Sequence, residues 1–255
     1  MKVREIKDYL NELYPFENKC DWDNCGLLVG DEETEITKIG FALDLTFETL
    51  EDAKNNGVNL IVTHHPVIFH AQKSFVSGNI AYEAALSGMS VISCHTCYDS
   101  AKGGVSEILA DAIGLSEIET VVTEETPYCV RIGKTDCVSP EVFALNVASA
   151  LSATVRFAKG DKNITKAAVC GGAGGDFITE VASAGADAYV TGDMSHHEFL
   201  LAQELGLTVI AAGHFETEII SVLPLLERVK RQFPEAETVL LRQNNPVTFV
   251  SAEEG

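Results

Sequence analysis

Apolar positions change their period along this chain, and the changes mark out its elements. Val3, Ile6, Leu10 and Leu13 recur at helical spacing, which predicts an amphipathic opening helix ended by Pro15. The stretch from Asp21 to Gly30 reads as a loop and holds the single tryptophan, Trp22. Short β-branched runs then alternate with helical patterns. They predict strands at about 38–43, 59–63 and 90–95 and helices at about 46–56, 79–88 and 104–114, the last ended by Gly114. Uniformly apolar runs this short fit buried strands of a parallel sheet.

The middle of the chain reads as a second unit. Strands are expected at Cys129–Ile132, Thr154–Phe157, Ala167–Cys170 and Ala188–Thr191, with helices over about 140–151 and 176–185. The glycine-rich run Gly171–Gly175 before the second helix has neither the lysine nor the spacing of a phosphate loop, so tight-turn glycines are the better reading. The chain ends with a helix over about 214–231 and strands near 238–242 and 247–251. The expected fold is α/β, a two-lobed three-layer α/β/α architecture with mainly parallel strands. Residues 1–125 with 207–255 would form one discontinuous lobe and 126–206 the other, with a metal site in the cleft between them.

Composition narrows the functions. With 38 acidic against 18 basic residues the net charge is −20, which repels a phosphate backbone or an anionic membrane. No apolar run approaches the roughly 20 residues that span a bilayer, and the first residues carry dispersed charge, so a cytoplasmic location is expected. The seven cysteines show no framework spacing and should be reduced. Cys94-His-Thr-Cys97 has the C-x-x-C form, but a continuing strand would send the two thiols to opposite faces, which speaks against a functional disulfide.

Three clusters of histidine and acid carry the chemistry, each where a strand is expected to end. They are Thr63-His64-His65-Pro66, His95-Thr-Cys-Tyr-Asp99 and His214-Phe-Glu-Thr-Glu218. Ligands of open α/β sheets gather at the carboxyl ends of strands, so the three point to one shared site. Singly, each has a plainer explanation: histidines capping a strand, Asp99 in a turn, Glu216 and Glu218 as first-turn acids of a helix. His214 and Glu218, four residues apart, share a helix face, and Glu216 does not. Together His64, His65, Asp99, His214 and Glu218 form a mixed imidazole and carboxylate set suited to zinc, manganese or iron. Two ions roughly 3.5–4 Å apart could hold a bridging hydroxide and polarise a carbonyl or phosphoryl oxygen. His197, after another strand, is a candidate acid–base group, with a surface first-turn histidine as the alternative.

These segments resemble the YbgI-like family of GTP cyclohydrolase I type 2 homologues, whose eukaryotic relatives are named for interacting with a yeast transcriptional adaptor. The resemblance rests on Trp22-Asp-Asn-Cys-Gly-Leu-Leu-Val-Gly30, Ala42-Leu-Asp-Leu-Thr46, Leu60-Ile-Val-Thr-His-His-Pro66, His95-Thr-Cys-Tyr-Asp99 with Gly103-Gly-Val105, Thr191-Gly-Asp-Met-Ser-His-His197 and Gly213-His-Phe-Glu-Thr-Glu218. It implies a two-lobed α/β fold, a dinuclear metal site on the same five ligands, and a ring-shaped homohexamer. Cys97 and Ser106 stand where the family often has asparagine, which bears on substrate choice rather than on the ligands. The expected function is a metal-dependent hydrolase, using a metal-bound hydroxide on a small anionic or heterocyclic, nucleotide-like substrate. The rival expectation is a non-catalytic metal-binding assembly or regulatory protein.

Overall fold

In the computed structural model, residues 1–123 and 129–250 are described, and they pack as two units. The first takes residues 1–108, 122–123, 129 and 218–243, and the second residues 109–121, 130–217 and 244–250. The lobe boundary expected near residue 125 lies outside the described residues.

Eleven strands run in chain order. They are β1 Gly26–Val29, β2 Lys38–Ala42, β3 Leu60–Thr63, β4 Ser90–Ser93, β5 Ser116–Val121 and β6 Val130–Val138, then β7 Arg156–Ala158, β8 Ile164–Ala173, β9 Ala188–Asp193, β10 Thr208–Ala211 and β11 Glu237–Leu240. The first unit holds the sheet β1-β4-β3-β2-β11, parallel except where β1 pairs antiparallel with β4. β3 and β4 are buried at every position, Ser90 and Ser93 included, as strands covered on both faces of a parallel sheet are. Connecting helices complete this sheet. Val3–Leu13 buries Val3, Ile6 and Leu10. Phe47–Asn55 is capped by Thr46, whose hydroxyl accepts from the Thr49 amide at 3.1 Å. Ile80–Leu86 is capped by Asn79. Leu50, Ala53, Ile61, Ala81, Ala84 and Val91 form part of the core on one face.

The second unit holds the sheet β5-β6-β8-β9-β10-β7, parallel only along β8-β9-β10 and therefore mixed. Helix Pro140–Leu151 begins as its sequence predicts, with proline at the first helical position after a Ser139 cap.

Four expectations need correction. β1 lies inside the stretch read as a loop, and its last turn is tight enough to require Gly30 at φ +103°. β10 pairs with β9 and β7 in the second sheet, whereas residues 207–217 were expected with the first lobe. The helix expected over 214–231 is broken into His214–Ile219 and Val222–Gln232, because Pro224 has no N–H for the Ile220 carbonyl. Residues 247–250 form no strand, and Ser251 lies outside the described residues. No helix among the described residues is long and apolar enough to cross a membrane.

Candidate metal centre

In the first sheet three adjacent parallel strands end together, and the chain just beyond each end carries the chemistry. Pairing continues for a step past the strands, His64 N to Ala42 O at 3.3 Å, His65 N to Leu43 O at 3.0 Å and Cys94 N to Thr63 O at 2.9 Å. Asp44, the His64–His65 pair and His95 are thereby set side by side at the carboxyl edge. The strand expected at about 90–95 does not continue through Cys97. It stops at Ser93, and Thr96–Asp99 is a single helical turn that swings Asp99 back over the edge. Cys97 consequently meets Cys25, with the sulfurs 3.5 Å apart, and all seven cysteines carry free thiols.

The imidazoles are held in a consistent way. His64 Nδ1 lies 2.9 Å from the Cys94 carbonyl, which can only accept, so Nδ1 is the donor and Nε2 carries the lone pair of the neutral ring. His65 Nδ1 lies 2.8 Å from Asp44 Oδ1 and His95 Nδ1 lies 2.8 Å from Asp23 Oδ1. Asp23 is itself fixed: its other oxygen accepts from the Thr96 amide at 3.0 Å and the Thr96 hydroxyl at 2.5 Å. Burial alone would raise the Asp23 pKa, but the hydrogen bond and charge of His95, with Thr96, hold it well below the usual carboxylate range.

The Nε2 atoms turn towards two buried carboxylates. His64 Nε2 lies 3.5 Å from Asp99 Oδ1 and 3.6 Å from Glu218 Oε1, and His65 Nε2 lies 3.0 Å from Glu218 Oε2. One donor atom each from His64, His65 and His95 falls within 4.8 Å of the others, and the same holds for His64, Asp99 and Glu218. Among the described residues His64 Nε2 and Asp99 Oδ1, both buried, make no hydrogen bond. A buried donor set of this composition, with those two atoms aimed at each other at 3.5 Å, fits a cation between them better than a completed hydrogen-bond network. Electrostatics agree. Burial depresses both imidazole pKa values, yet the carboxylates win: His64 is raised by Asp99 and Glu218, and His65 is raised to about 10 by Asp44 and Glu218. Burial raises the Asp99 carboxyl against the lowering pull of His64 and His95.

Helix His214–Ile219 carries His214 at its first position and Glu218 four residues later. In the second unit the end of β10 repeats the device of the first. His214 Nδ1 lies 2.7 Å from Oδ2 of Asp193, which ends the neighbouring parallel strand β9. His197 lies exposed on the first turn of helix His196–Glu204, its Nδ1 2.9 Å from the Ser195 hydroxyl. The clamping aspartates were not singled out from sequence. Asp44 follows β2 and Asp193 ends β9, and that position was the available signal, whereas Asp23 lies in the loop before β1 and had none.

The profile of the Duf34/NIF3 (NGG1p interacting factor 3) family matches residues 1–246. The chain belongs to the DUF34/NIF3 family. A Clostridium perfringens protein named GTP cyclohydrolase 1 type 2 homolog is 30% identical over 265 residues, covering 98% of this chain and all of that relative. A Campylobacter jejuni protein of the same name is 31% identical over 233 residues, covering 86% and 88%. Among solved structures, the Staphylococcus aureus hypothetical protein SA1388 superposes with a TM-score of 0.91 at 25% identity, covering 98% of this chain and 99% of that one. Reduced HcgD from Methanocaldococcus jannaschii gives a TM-score of 0.78 at 29% identity, covering 94% and 98%. The mixed α/β architecture is thus that of the DUF34/NIF3 family, and its strand edge carries histidine and acidic groups able to hold a metal ion.

Proposed function

We propose that this chain is a metal-dependent hydrolase of a small molecule, with His64, His65, Asp99, His214 and Glu218 as ligands of two divalent ions of the zinc, manganese or iron type. The observation that carries the reading is the common clamping of the imidazoles: each Nδ1 donates to a carboxylate or carbonyl, which leaves the Nε2 lone pair for a cation. His214 enters the set because it has the same clamp and stands one helical turn before Glu218. Such ions, when bound, supply Lewis-acid polarisation of a carbonyl or phosphoryl oxygen and a water acidic enough to attack near neutral pH.

The chain's own residues do the remaining work. Asp44 and Asp23 fix the ring planes of His65 and His95, and Glu218 spans His64 and His65. His95 groups with His64 and His65 at the same edge but is not one of the five proposed ligands. His197 is the proposed proton donor to the leaving group. The names of the relatives refer to GTP cyclohydrolase, which makes a nucleotide-like heterocycle or a small anion the first substrate class to test. A cytoplasmic homohexamer completes the reading, checked by sedimentation velocity.

Metal analysis of the purified protein, followed by a metabolite-depletion screen with the metal-loaded form, tests the proposal. Glu218→Ala should lose bound metal and Glu216→Ala should keep it, while His197→Ala should slow turnover with metal content unchanged. Equal metal content in folded Glu218→Ala and Glu216→Ala proteins would remove the ligand assignment. Metal bound without depletion of any metabolite would leave a binding protein in place of an enzyme.

A further inference from the structure

Beside the cluster, on the same unit, lies an aromatic group that the hydrolase reading does not use. Trp22 is 55% exposed and Phe69 41% exposed, and their ring centroids are 5.6 Å apart. Both rings also face His95, Trp22 at 5.9 Å and Phe69 at 6.2 Å. The His95 ring in turn lies 5.1 Å from His64 and 5.4 Å from His65. His95 is therefore the middle member of a series running from exposed aromatic faces to the buried cluster.

The aromatic pair is built, not incidental. Trp22 directly precedes Asp23, whose carboxylate is anchored by His95 and Thr96. Phe69 directly follows Ile68, whose carbonyl accepts from the Asn24 side chain at 2.7 Å. One short loop thus holds both rings in place. The ion pairs of the cluster are histidine–carboxylate throughout, so no lysine or arginine in them would hold an anionic substrate. Two exposed ring faces offer what is left, namely dispersion and π-stacking with a flat partner.

We propose that Trp22 and Phe69 form a stacking platform for a planar heteroaromatic ring, placing that ring against His95 and next to the metal cluster. This rests on the hydrolase reading for the presence of the cluster and narrows its substrate class to ring-bearing molecules. Molecules without an aromatic ring would lack this stacking contact.

Trp22 is the only tryptophan, so its fluorescence reports on the platform alone. The metal-reconstituted full chain is titrated with guanosine, cytidine, neopterin and nicotinamide, and with ribose 5-phosphate as the control without an aromatic ring, exciting at the red edge of tryptophan absorption. Saturable quenching by at least one ring compound and none by ribose 5-phosphate is the expected result. In equilibrium dialysis the same compound should bind Trp22→Leu about tenfold more weakly, since stacking on an aromatic side chain is a major part of affinity for a base. Phe69→Ala should show a loss of similar size. Metal content of both variants should equal that of the parent. Quenching by no ring compound, or equally by ribose 5-phosphate, overturns the platform. A fall in assembly size for Trp22→Leu or Phe69→Ala overturns it in favour of a surface covered by a second copy. Loss of metal without loss of ring binding would instead count against the hydrolase reading and leave the platform standing.

Discussion

Replacing Asp44 by alanine isolates the contribution of one clamp to metal affinity. Its carboxylate contacts His65 Nδ1 at 2.8 Å but is 44% exposed, so its loss should cost the apo fold little. What changes is the ring of His65, released to rotate and to exchange tautomers. Outer-shell partners of this kind are worth about 10- to 100-fold in metal affinity, or about 1.4–2.7 kcal/mol. With metal at a hundred times the wild-type Kd, binding stabilises the parent by about 2.7 kcal/mol. At the same concentration the variant would gain only about 1.4 to 0.4 kcal/mol. For a chain of this size the difference lowers the metal-induced rise in Tm by about 3–9 °C. Competition against a chromogenic zinc chelator gives the Kd directly, and melting curves with and without zinc give the linkage. Asp44→Asn, which can still accept from Nδ1, should fall between the two. An unchanged zinc affinity in Asp44→Ala would refute the role of His65 as an oriented ligand. A lowered Tm in the metal-free variant alone would make Asp44 merely structural.

Two further outcomes concern the frame around the edge. Gly30→Ala should lower unfolding stability by about 1–3 kcal/mol in urea titration, because the new Cβ meets the Ser90 backbone at 2.8 Å and the residue sits at φ +103°. Wild-type stability there would mean that β1 can shift freely against β4. Tyr14 is fully buried, and burial pushes its phenol up to about 12. The folded state therefore keeps the proton that the unfolded chain loses near pH 10. The stabilisation is intact below pH 10 and is lost, by on the order of 2–3 kcal/mol, as pH rises to about 12. Urea midpoints across that range should fall more steeply for the parent than for Tyr14→Phe, and parallel curves would contradict the assignment.

The parts legible in sequence were those with an uninterrupted pattern. Residues 60–63 and 90–93 are short segments centred on Leu-Ile-Val and Val-Ile, which fit a buried strand, and Ser139-Pro140 states a helix start in two letters. β1 was hidden because Gly26–Val29 is short and flanked by Asp, Asn and Gly, which read as turn residues. β10 has the right pattern, but no local feature says which sheet it joins. The turn at Thr96–Asp99 could not be read from alternation, since His95, Cys97 and Asp99 satisfy a strand period as well as a turn. Its cause is tertiary: the Asp23 carboxylate captures the Thr96 amide and hydroxyl from 73 positions away. The clamps share that character, as each joins residues 21 or more positions apart.

The clamps differ in one respect that bears on how such a centre can change over generations. Three are carboxylates and can each be exchanged by a single codon substitution, so the basicity and orientation of His65, His95 and His214 are separately adjustable. The fourth is the main-chain carbonyl of Cys94, and no substitution at that position deletes it. His64 is held by the sheet itself for as long as β3 and β4 lie side by side. Divergence in reactivity therefore has positions 23, 44 and 193 to work through, while the posture of His64 is inherited with the strand order.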